Sequence, residues 1–203
     1  MNAFLRFGII LLSLSVLSCG KLGTYSILIQ YQPMRDLPSL KEKIGPTLGI
    51  APFHDLRPEK HYIGTHRSIR EVTSYFRSEP FPLERAISNS LQKTLSESGV
   101  KVVPLPSWDG RADSLKELET DSILYIEIRR FWIEGRAALF RTNLRTSIHF
   151  VIHLGMKKEE KVLTRNVEME KEMTLARLTP AKVEEVVNQM LTELFDSFFS
   201  HPY

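Results

Sequence analysis

Hydrophobic and polar positions alternate most regularly in the second half of the chain. Leu124, Ile126 and Ile128 alternate with polar or aromatic neighbours, and over 139–156 every second residue is apolar or β-branched. A period of two is typical of a strand with one buried face and one face in water. The two runs therefore predict a long antiparallel hairpin.

The register of this hairpin depends on the length of its loop. A three-residue loop at 135–137 pairs Ile126 with Thr146 and Glu127 with Arg145. A slip of one residue would turn Arg145 into the core, so the pattern specifies the register strongly. The Glu127–Arg145 pair on the wet face is expected to contribute only about a few tenths of a kcal/mol.

The rest of the pattern predicts four further strands and two long helices. Strands are expected where β-branched and aromatic residues cluster, at 25–31, 47–53, 100–104 and 162–173. Helices are expected at 83–95 and, after Thr179-Pro180, at 180–198, with a short helical turn at 113–119. This order predicts one α+β domain over 25–203, a two-layer sandwich of a mixed, largely antiparallel sheet with helices packed on one face.

The segment 54–82 shows no clean period. A long irregular insertion in a compact domain is usually functional or mobile. The segment contains Tyr62, Tyr75, Phe76 and Phe81, and aromatic side chains dominate hot spots at protein interfaces. These residues either form a binding loop or fasten the segment to the core.

The first residues resemble a bacterial lipoprotein signal. Arg6 supplies a positive start, and the apolar run 7–17 is about 11 residues long, whereas a membrane span needs about 20. The run ends in VLSCG at 16–20, which resembles a lipobox. Cleavage in such signals falls before the cysteine, which receives diacylglycerol on sulfur and an acyl group such as palmitate on its amine. The resemblance predicts a signal peptide at 1–18 and a lipidated tether at 19–24; a membrane anchor or buried helix is the alternative.

Acylation of Cys19 would fix the compartment. Two or more acyl chains anchor a protein stably, at about 0.8 kcal/mol per buried methylene. Gly20 follows the cysteine, where an aspartate would favour the inner membrane in enteric-type sorting, so the resemblance implies the periplasmic face of the outer membrane. Cys19 is the only cysteine, and a mature chain without a free thiol suits an oxidising compartment.

Composition and the catalytic motifs that the sequence lacks argue against several classes of function. The 203 residues include 27 Lys+Arg and 24 Asp+Glu, a net charge of +3, which gives no reason to expect nucleic acid. One cysteine excludes zinc sites that need several thiolates. The sequence also lacks a nucleophile elbow, a glycine-rich phosphate loop and a Ser-x-x-Lys motif with its companions. We therefore expect neither an enzyme nor a cofactor.

A cluster of histidines in 54–66 raises a metal site as an alternative. His54, Asp55, His61 and His66 offer nitrogen and oxygen ligands for zinc or copper, as a metal-dependent hydrolase would need. Their spacing fits no pair on one helix face. Solvated loop histidines are the more common case, so we expect no metal.

Three residues near a predicted strand end are binding candidates. Asp55 and Arg57 follow the strand, and they either contact a ligand or form an ion pair that orders the loop. Gly64 supplies a positive φ or allows two backbones to approach closely.

The wet face of the predicted hairpin carries a basic stripe. Arg129, Arg141 and Arg145 would suit an anionic polymer or lipid. Glu127 partly neutralises the stripe, and a solvated surface is the ordinary interpretation of such a face.

Short motifs across 25–200 resemble a group of periplasmic lipoproteins. They are the strand end IAPF at 50–53, Asp55 and Arg57, Ile63-Gly64, the helix from Ala86 to Leu95 with Gly99-Val100, and DSILYIEI at 121–128. The group includes YajG-like and hypothetical outer-membrane lipoproteins. Its domain is similar to the amino-terminal domain of the translocation protein TolB and to lipoprotein activators of penicillin-binding proteins. The resemblance implies adaptor work by a tethered domain, and it brings no catalytic motif.

These features together predict a lipid-anchored, non-catalytic domain that binds an envelope protein. Binding of a lipid or cell-wall polymer through the polar sheet face is the alternative, and a metal-dependent hydrolase is a weaker one. The predicted binding residues are Asp55, Arg57, Tyr62, Gly64, Tyr75, Phe76, Arg141 and Arg145.

Overall fold

A computed structural model describes residues 23–34 and 40–200. The predicted signal peptide, Cys19 and most of the tether lie outside the described residues. The strands are β1 (Thr24–Leu28), β2 (Thr47–Ile50), β3 (His54–Asp55), β4 (Gly64–Arg67), β5 (Thr73–Glu79), β6 (Lys101–Pro104), β7 (Ser122–Ala138), β8 (Arg141–Met156) and β9 (Lys161–Leu175). The helices are α1 (Leu40–Ile44), α2 (Leu83–Glu97) and α3 (Pro180–Ser200), with a 3₁₀ turn at Asp113–Glu117. Within the described ranges, no helix has the length and apolar character to cross a membrane.

The long strand β7 organises the sheet. On one side it pairs with β8 along its length, and β9 follows β8, both antiparallel. On the other side it pairs with three short parallel strands: β2 near its start, β3 in the middle and β4 near its end. β6 continues the sheet beyond β2, while β5 and β1 continue it beyond β4. The described residues thus form a mixed nine-stranded sheet in a sheet-dominated α+β fold.

Alternation along the strands places the core. The even-numbered residues of β8 from 142 to 154 are buried, and the odd-numbered residues from 141 to 153 are exposed or half-buried. The apolar stripes of α2 and α3 bury their side chains in the same core, among them Leu83, Ile87, Leu91, Val187, Leu194 and Phe195. Burial of each large apolar side chain contributes about 1.5–3 kcal/mol. We call the opposite face of the sheet, with the odd-numbered residues of β8, the outer face.

The predicted three-residue loop at 135–137 is wrong. β7 continues through these residues to Ala138, and the turn to β8 consists of Leu139 and Phe140. The register moves accordingly: Ile126 pairs with Ile152 rather than Thr146.

A β-bulge between Ile128 and Arg130 makes the longer strand compatible with its apolar pattern. The extra residue shifts the alternation by one position, so Phe131 and Ile133 return to the core while Arg129 and Arg130 both stay exposed. Without it, Arg130 would point inward.

The interpretation of 54–82 as one irregular insertion is also wrong. Three strands, β3, β4 and β5, lie within it, and β4 and β5 form an antiparallel hairpin. β3 and β4 have two and four residues, too few to display a period of two. Their pairing with β7 holds them in the sheet.

Candidate binding site

Arg57 occupies a gap in the sheet. β3 pairs with β7 as far as Ile128 and β4 begins to pair at Ile133, so the intervening residues of β7 have no strand on this side. The Arg57 guanidinium lies there and donates hydrogen bonds to the carbonyl oxygens of Phe131 at 3.1 Å and Tyr62 at 3.0 Å. The side chain thus supplies donors that a neighbouring strand would otherwise provide.

Asp55 balances the charge of Arg57. Its carboxylate accepts from the guanidinium at 2.7 and 2.9 Å and from the Arg57 backbone N–H at 3.0 Å. Both side chains are at most 5 % exposed. The geometry is that of an ion pair that orders the loop, and direct contact of either residue with a ligand stays a prediction.

Gly64 lies where two backbones approach closely. A Cβ at this position would lie 2.1 Å from the carbonyl oxygen of Ile133 on β7. Of the two roles predicted for this glycine, the structure contains the close approach. This contact closes the loop 56–63 against β7 and fixes where β4 begins.

Residues far apart in sequence share one row on the outer face. Tyr75 pairs with Thr65, Thr65 with Glu134, Glu134 with Arg145, and Arg145 with Glu172. Because directly paired residues project from the same side of a sheet, the row brings Tyr75 and Arg145 onto one surface. All five are exposed or half-buried.

Four aromatic side chains and one arginine cluster on the loop 56–63, on β5 and just after β5. We call them the aromatic patch: His61, Tyr62, Tyr75, Arg77 and Phe81. The rings of Tyr62 and Tyr75 stack at 4.4 Å, and those of His61 and Phe81 stack at 6.0 Å. The Arg77 guanidinium lies 6.0 Å from the Phe81 ring. Tyr75 is 37 % exposed and Phe81 43 %.

Phe76 does not belong to this surface. Neighbours on a strand project to opposite faces, and Phe76 is 2 % exposed in the core beside Tyr75. The prediction that Phe76 shares a binding surface with Tyr75 is therefore wrong, because the two side chains project to opposite faces of β5.

A cavity of about 480 Å³ opens beside the bulge of β7. Its lining includes Arg57, Glu59, Arg130, Trp132, Arg145 and Glu170. Arg130 and Trp132 were not predicted as site residues. The signal that reveals them is the change of phase in the apolar pattern between Ile128 and Phe131.

Glutamates neutralise most of the predicted basic stripe. Arg145 forms ion pairs with Glu170 at 2.7 Å and Glu172 at 3.3 Å, and Arg129 pairs with Glu127. The hydrogen bond from Arg145 is the main cause that lowers the pKa of the Glu170 carboxyl. The outer face around the cavity therefore carries both signs of charge, and the stripe that would suit a polyanion is absent from this part of the described sheet.

The residues considered as metal ligands in the alternative interpretation of 54–66 do not form a metal site in the described part of the chain. Within the described ranges, no three His, Cys, Asp or Glu side chains have the geometry to hold a metal ion. His54 instead lies 3.0 Å from the Tyr125 hydroxyl, and the Tyr125 ring stacks on His153. Burial lowers the pKa of His153 and of His66.

Comparison with solved structures found matches at low sequence identity. Protein XCC0632 from Xanthomonas campestris, described with the family DUF330, superposes with a TM-score of 0.55 at 15 % identity, over 87 % of this chain and 91 % of that chain. Hypothetical protein CT253 from Chlamydia trachomatis gives 0.44 at 11 % identity, over 75 % and 96 % of the two chains. Lipoprotein GNA1162 from Neisseria meningitidis gives 0.40 at 12 % identity, over 74 % and 98 %. No family model and no curated protein matches the sequence. At 15 % identity, the likeness to XCC0632 shows a shared fold alone.

Proposed function

We propose that this chain is a lipoprotein anchored through Cys19 at the periplasmic face of the outer membrane, where it binds an envelope protein without catalysing a reaction. The lipobox-like sequence at 16–20 supports the anchor. The finer resemblance to YajG-like lipoproteins and to the amino-terminal domain of TolB belongs to the same proposal.

The aromatic patch is the observation that carries protein binding. Hot spots at protein interfaces are rich in tyrosine and arginine, which here lie together on one exposed surface. Stacking of Tyr62 on Tyr75 holds both rings in place before binding, which reduces the entropy lost when a partner docks. Tyr75 and Phe81 remain more than a third exposed, so both rings are accessible to a partner.

The cavity beside the patch supports a protein partner over a polyanion. Its rim presents Arg130 and Arg145 together with Glu59 and Glu170. A surface with alternating charges complements a folded partner that also carries both signs, and such complementarity gives specificity and register. A polyanion would meet repulsion from the glutamates.

Site-specific photo-crosslinking tests the adaptor role. A photoreactive phenylalanine replaces Tyr75 in the full chain, produced in cells of the source organism, and a second variant carries it at exposed Lys158. The patch predicts one discrete protein adduct at position 75 that is absent at 158 and is lost when Tyr62→Ala is added. Equal adducts at both positions, or none at position 75, would contradict the proposal.

Intact mass tests the anchor separately. Chain extracted from membranes should begin at Cys19 and carry the mass of its acyl groups, and Cys19→Ala should abolish both. An unprocessed chain that still begins at Met1 would exclude the lipoprotein assignment.

A further inference from the structure

The turn between β7 and β8 exposes two large apolar side chains. Leu139 is 74 % exposed and Phe140 94 %, the highest values among the large apolar residues of the described chain. Because Phe140 is almost fully exposed, its burial contributes no free energy to folding. Packing within the chain therefore does not account for a phenylalanine at this position.

The backbone conformation of the turn is unfavourable for Phe140. Its φ is +61°, in the left-handed region, where glycine and asparagine are the ordinary residues. A bulky side chain there adds strain to exposure. Strained residues of this kind cluster at functional sites, which points to a contact of Phe140 outside the chain.

A second turn lies at the same end of the sheet. β4 runs parallel to β7, with Arg67 opposite Arg136, so the turn from β4 to β5 lies near the β7–β8 turn. This second turn exposes Ile69 at 59 %. We call Ile69, Leu139 and Phe140 the apolar tip.

Arginines surround the apolar tip. Five of them lie at this end of the sheet: Arg67, Arg70, Arg136, Arg141 and Arg177. Arg67 pairs with Glu71 and Arg136 with Glu134, while the ion pairs of the described residues include none for the other three. The opposite turn, from β8 to β9, has the sequence KKEEK at 157–161, and none of the large exposed apolar side chains of the described residues lies in it.

The first described residues lie at the same end of the sheet. β1 runs away from the tip, and Thr24 pairs with Tyr75 in the row that contains Glu134. Ala138 lies four residues beyond Glu134, which is about 13 Å at the rise of a strand. The four steps from Gly23 back to Cys19 span at most about 14 Å. An acyl anchor on Cys19 is therefore long enough to reach the level of the apolar tip.

We propose that the apolar tip inserts into the bilayer that holds the acyl anchor, with Arg70, Arg141 and Arg177 against anionic headgroups. This inference rests on the proposed lipoprotein function. The anchor and the tip give two points of attachment on one end of the sheet. β7 and β8 then extend away from the membrane surface. The aromatic patch lies on the side of the sheet, at a fixed distance from that surface.

Fluorescence quenching in vesicles tests the insertion. The full acylated chain, with Ala138→Cys, carries an environment-sensitive dye and is reconstituted into vesicles of phosphatidylethanolamine and phosphatidylglycerol. Ala138 adjoins the tip and leaves Leu139 and Phe140 in place. Lys158→Cys, in the opposite turn, is the matched control. Acylated Cys19 has no free thiol, so the dye reports only the introduced position.

A lipid-borne quencher should remove most of the emission at position 138, whereas aqueous iodide should quench only position 158. Adding Phe140→Gly should abolish lipid quenching at position 138. Because this change also relieves the strained φ, a loss of folding would not explain the loss of quenching. Adding Arg70→Glu and Arg141→Glu, or omitting phosphatidylglycerol, should weaken the quenching.

Three outcomes would overturn the proposal. Iodide quenching at both positions would show a tip in water, and unchanged lipid quenching in Phe140→Gly would show that the tip is not the inserting element. Shielding of position 138 in cells but not in protein-free vesicles would assign the tip to a protein partner. Alkaline carbonate distinguishes a failure of the anchor, because it would then release the whole chain from the membrane.

Discussion

The guanidinium of Arg57 donates a hydrogen bond of 3.1 Å to the carbonyl oxygen of Phe131, in the part of β7 between β3 and β4. A side chain thus completes the sheet at its bulge. The same arrangement forms one wall of the cavity and holds the loop that carries Tyr62. The candidate site therefore depends on a buried ion pair.

Arg57→Ala should destabilise the protein strongly. It leaves the buried Asp55 carboxylate without its partner, and breaking such a pair costs about 3–5 kcal/mol. The exposed pair Arg136–Glu134 is the control, and Arg136→Ala should change the free energy of unfolding by about 1 kcal/mol or less. Chemical denaturation measures both. Similar losses in the two variants would contradict a structural role for Arg57.

Tyr75→Ala and Phe76→Ala should separate binding from folding. Tyr75 is on the outer face, so its removal should cost about 1 kcal/mol of stability, from the stacking on Tyr62, and abolish the adduct formed by a photoreactive residue at Phe81. Phe76 is in the core, and its truncation should cost about 3–5 kcal/mol. Denaturation and crosslinking are measured on both variants. A large loss of stability in Tyr75→Ala would place that ring in the core.

Phe140→Gly should raise the free energy of unfolding. The left-handed backbone at this position costs a bulky residue about 1–2 kcal/mol, which glycine avoids, and this gain exceeds the about 0.5–1 kcal/mol that glycine loses by adding freedom to the unfolded chain. Leu139→Gly is the matched control, because Leu139 has no positive φ and the change only adds freedom to the unfolded chain. Denaturation of the two variants should therefore shift in opposite directions; a loss in both would remove the argument from strain.

The stability should fall as the solution becomes acidic. Burial is the main cause that lowers the pKa of His153 below its ordinary 6.5, and the nearby Glu127 acts in the opposite direction more weakly. Below pH 6.5 the unfolded chain therefore binds more protons at this site. The contribution of neutral His153 to the free energy of unfolding is complete above pH 6.5. It declines as the pH falls through 6.5 and is lost below the lowered pKa of the folded state.

His153→Gln should flatten this dependence of the free energy of unfolding on pH. His66, whose pKa burial also lowers, should add to the effect in a double variant His66→Gln/His153→Gln. Ser147→Ala, on the same strand, is the control without a titrating group. Denaturation midpoints from pH 8 to pH 5 measure the slope, and an unchanged slope in the double variant would exclude these histidines as its source.

Patterns within single segments predicted much of the fold. The helix α2 begins at the predicted Leu83, and α3 begins at the predicted Pro180, because apolar residues at helical spacing and a proline at the first position are local signals. The α+β class follows from these elements and from the long alternating runs of β7 and β8. The short strands β3 and β4 gave no such signal, since a period of two needs more residues than they have.

The sequence by itself determined the two long helices, the alternating hairpin and the lipobox-like start of the chain, because each depends on neighbours within one segment. Only the tertiary structure decided that Arg57 fills a gap beside β7, that the glutamates of β9 neutralise Arg145, and that Phe140 lies at the end of the sheet where β1 begins. These relationships join residues whose separation in the chain carries no pattern. They arise from strand pairing, in which a bulge of one residue and the order of the strands determine which side chains meet.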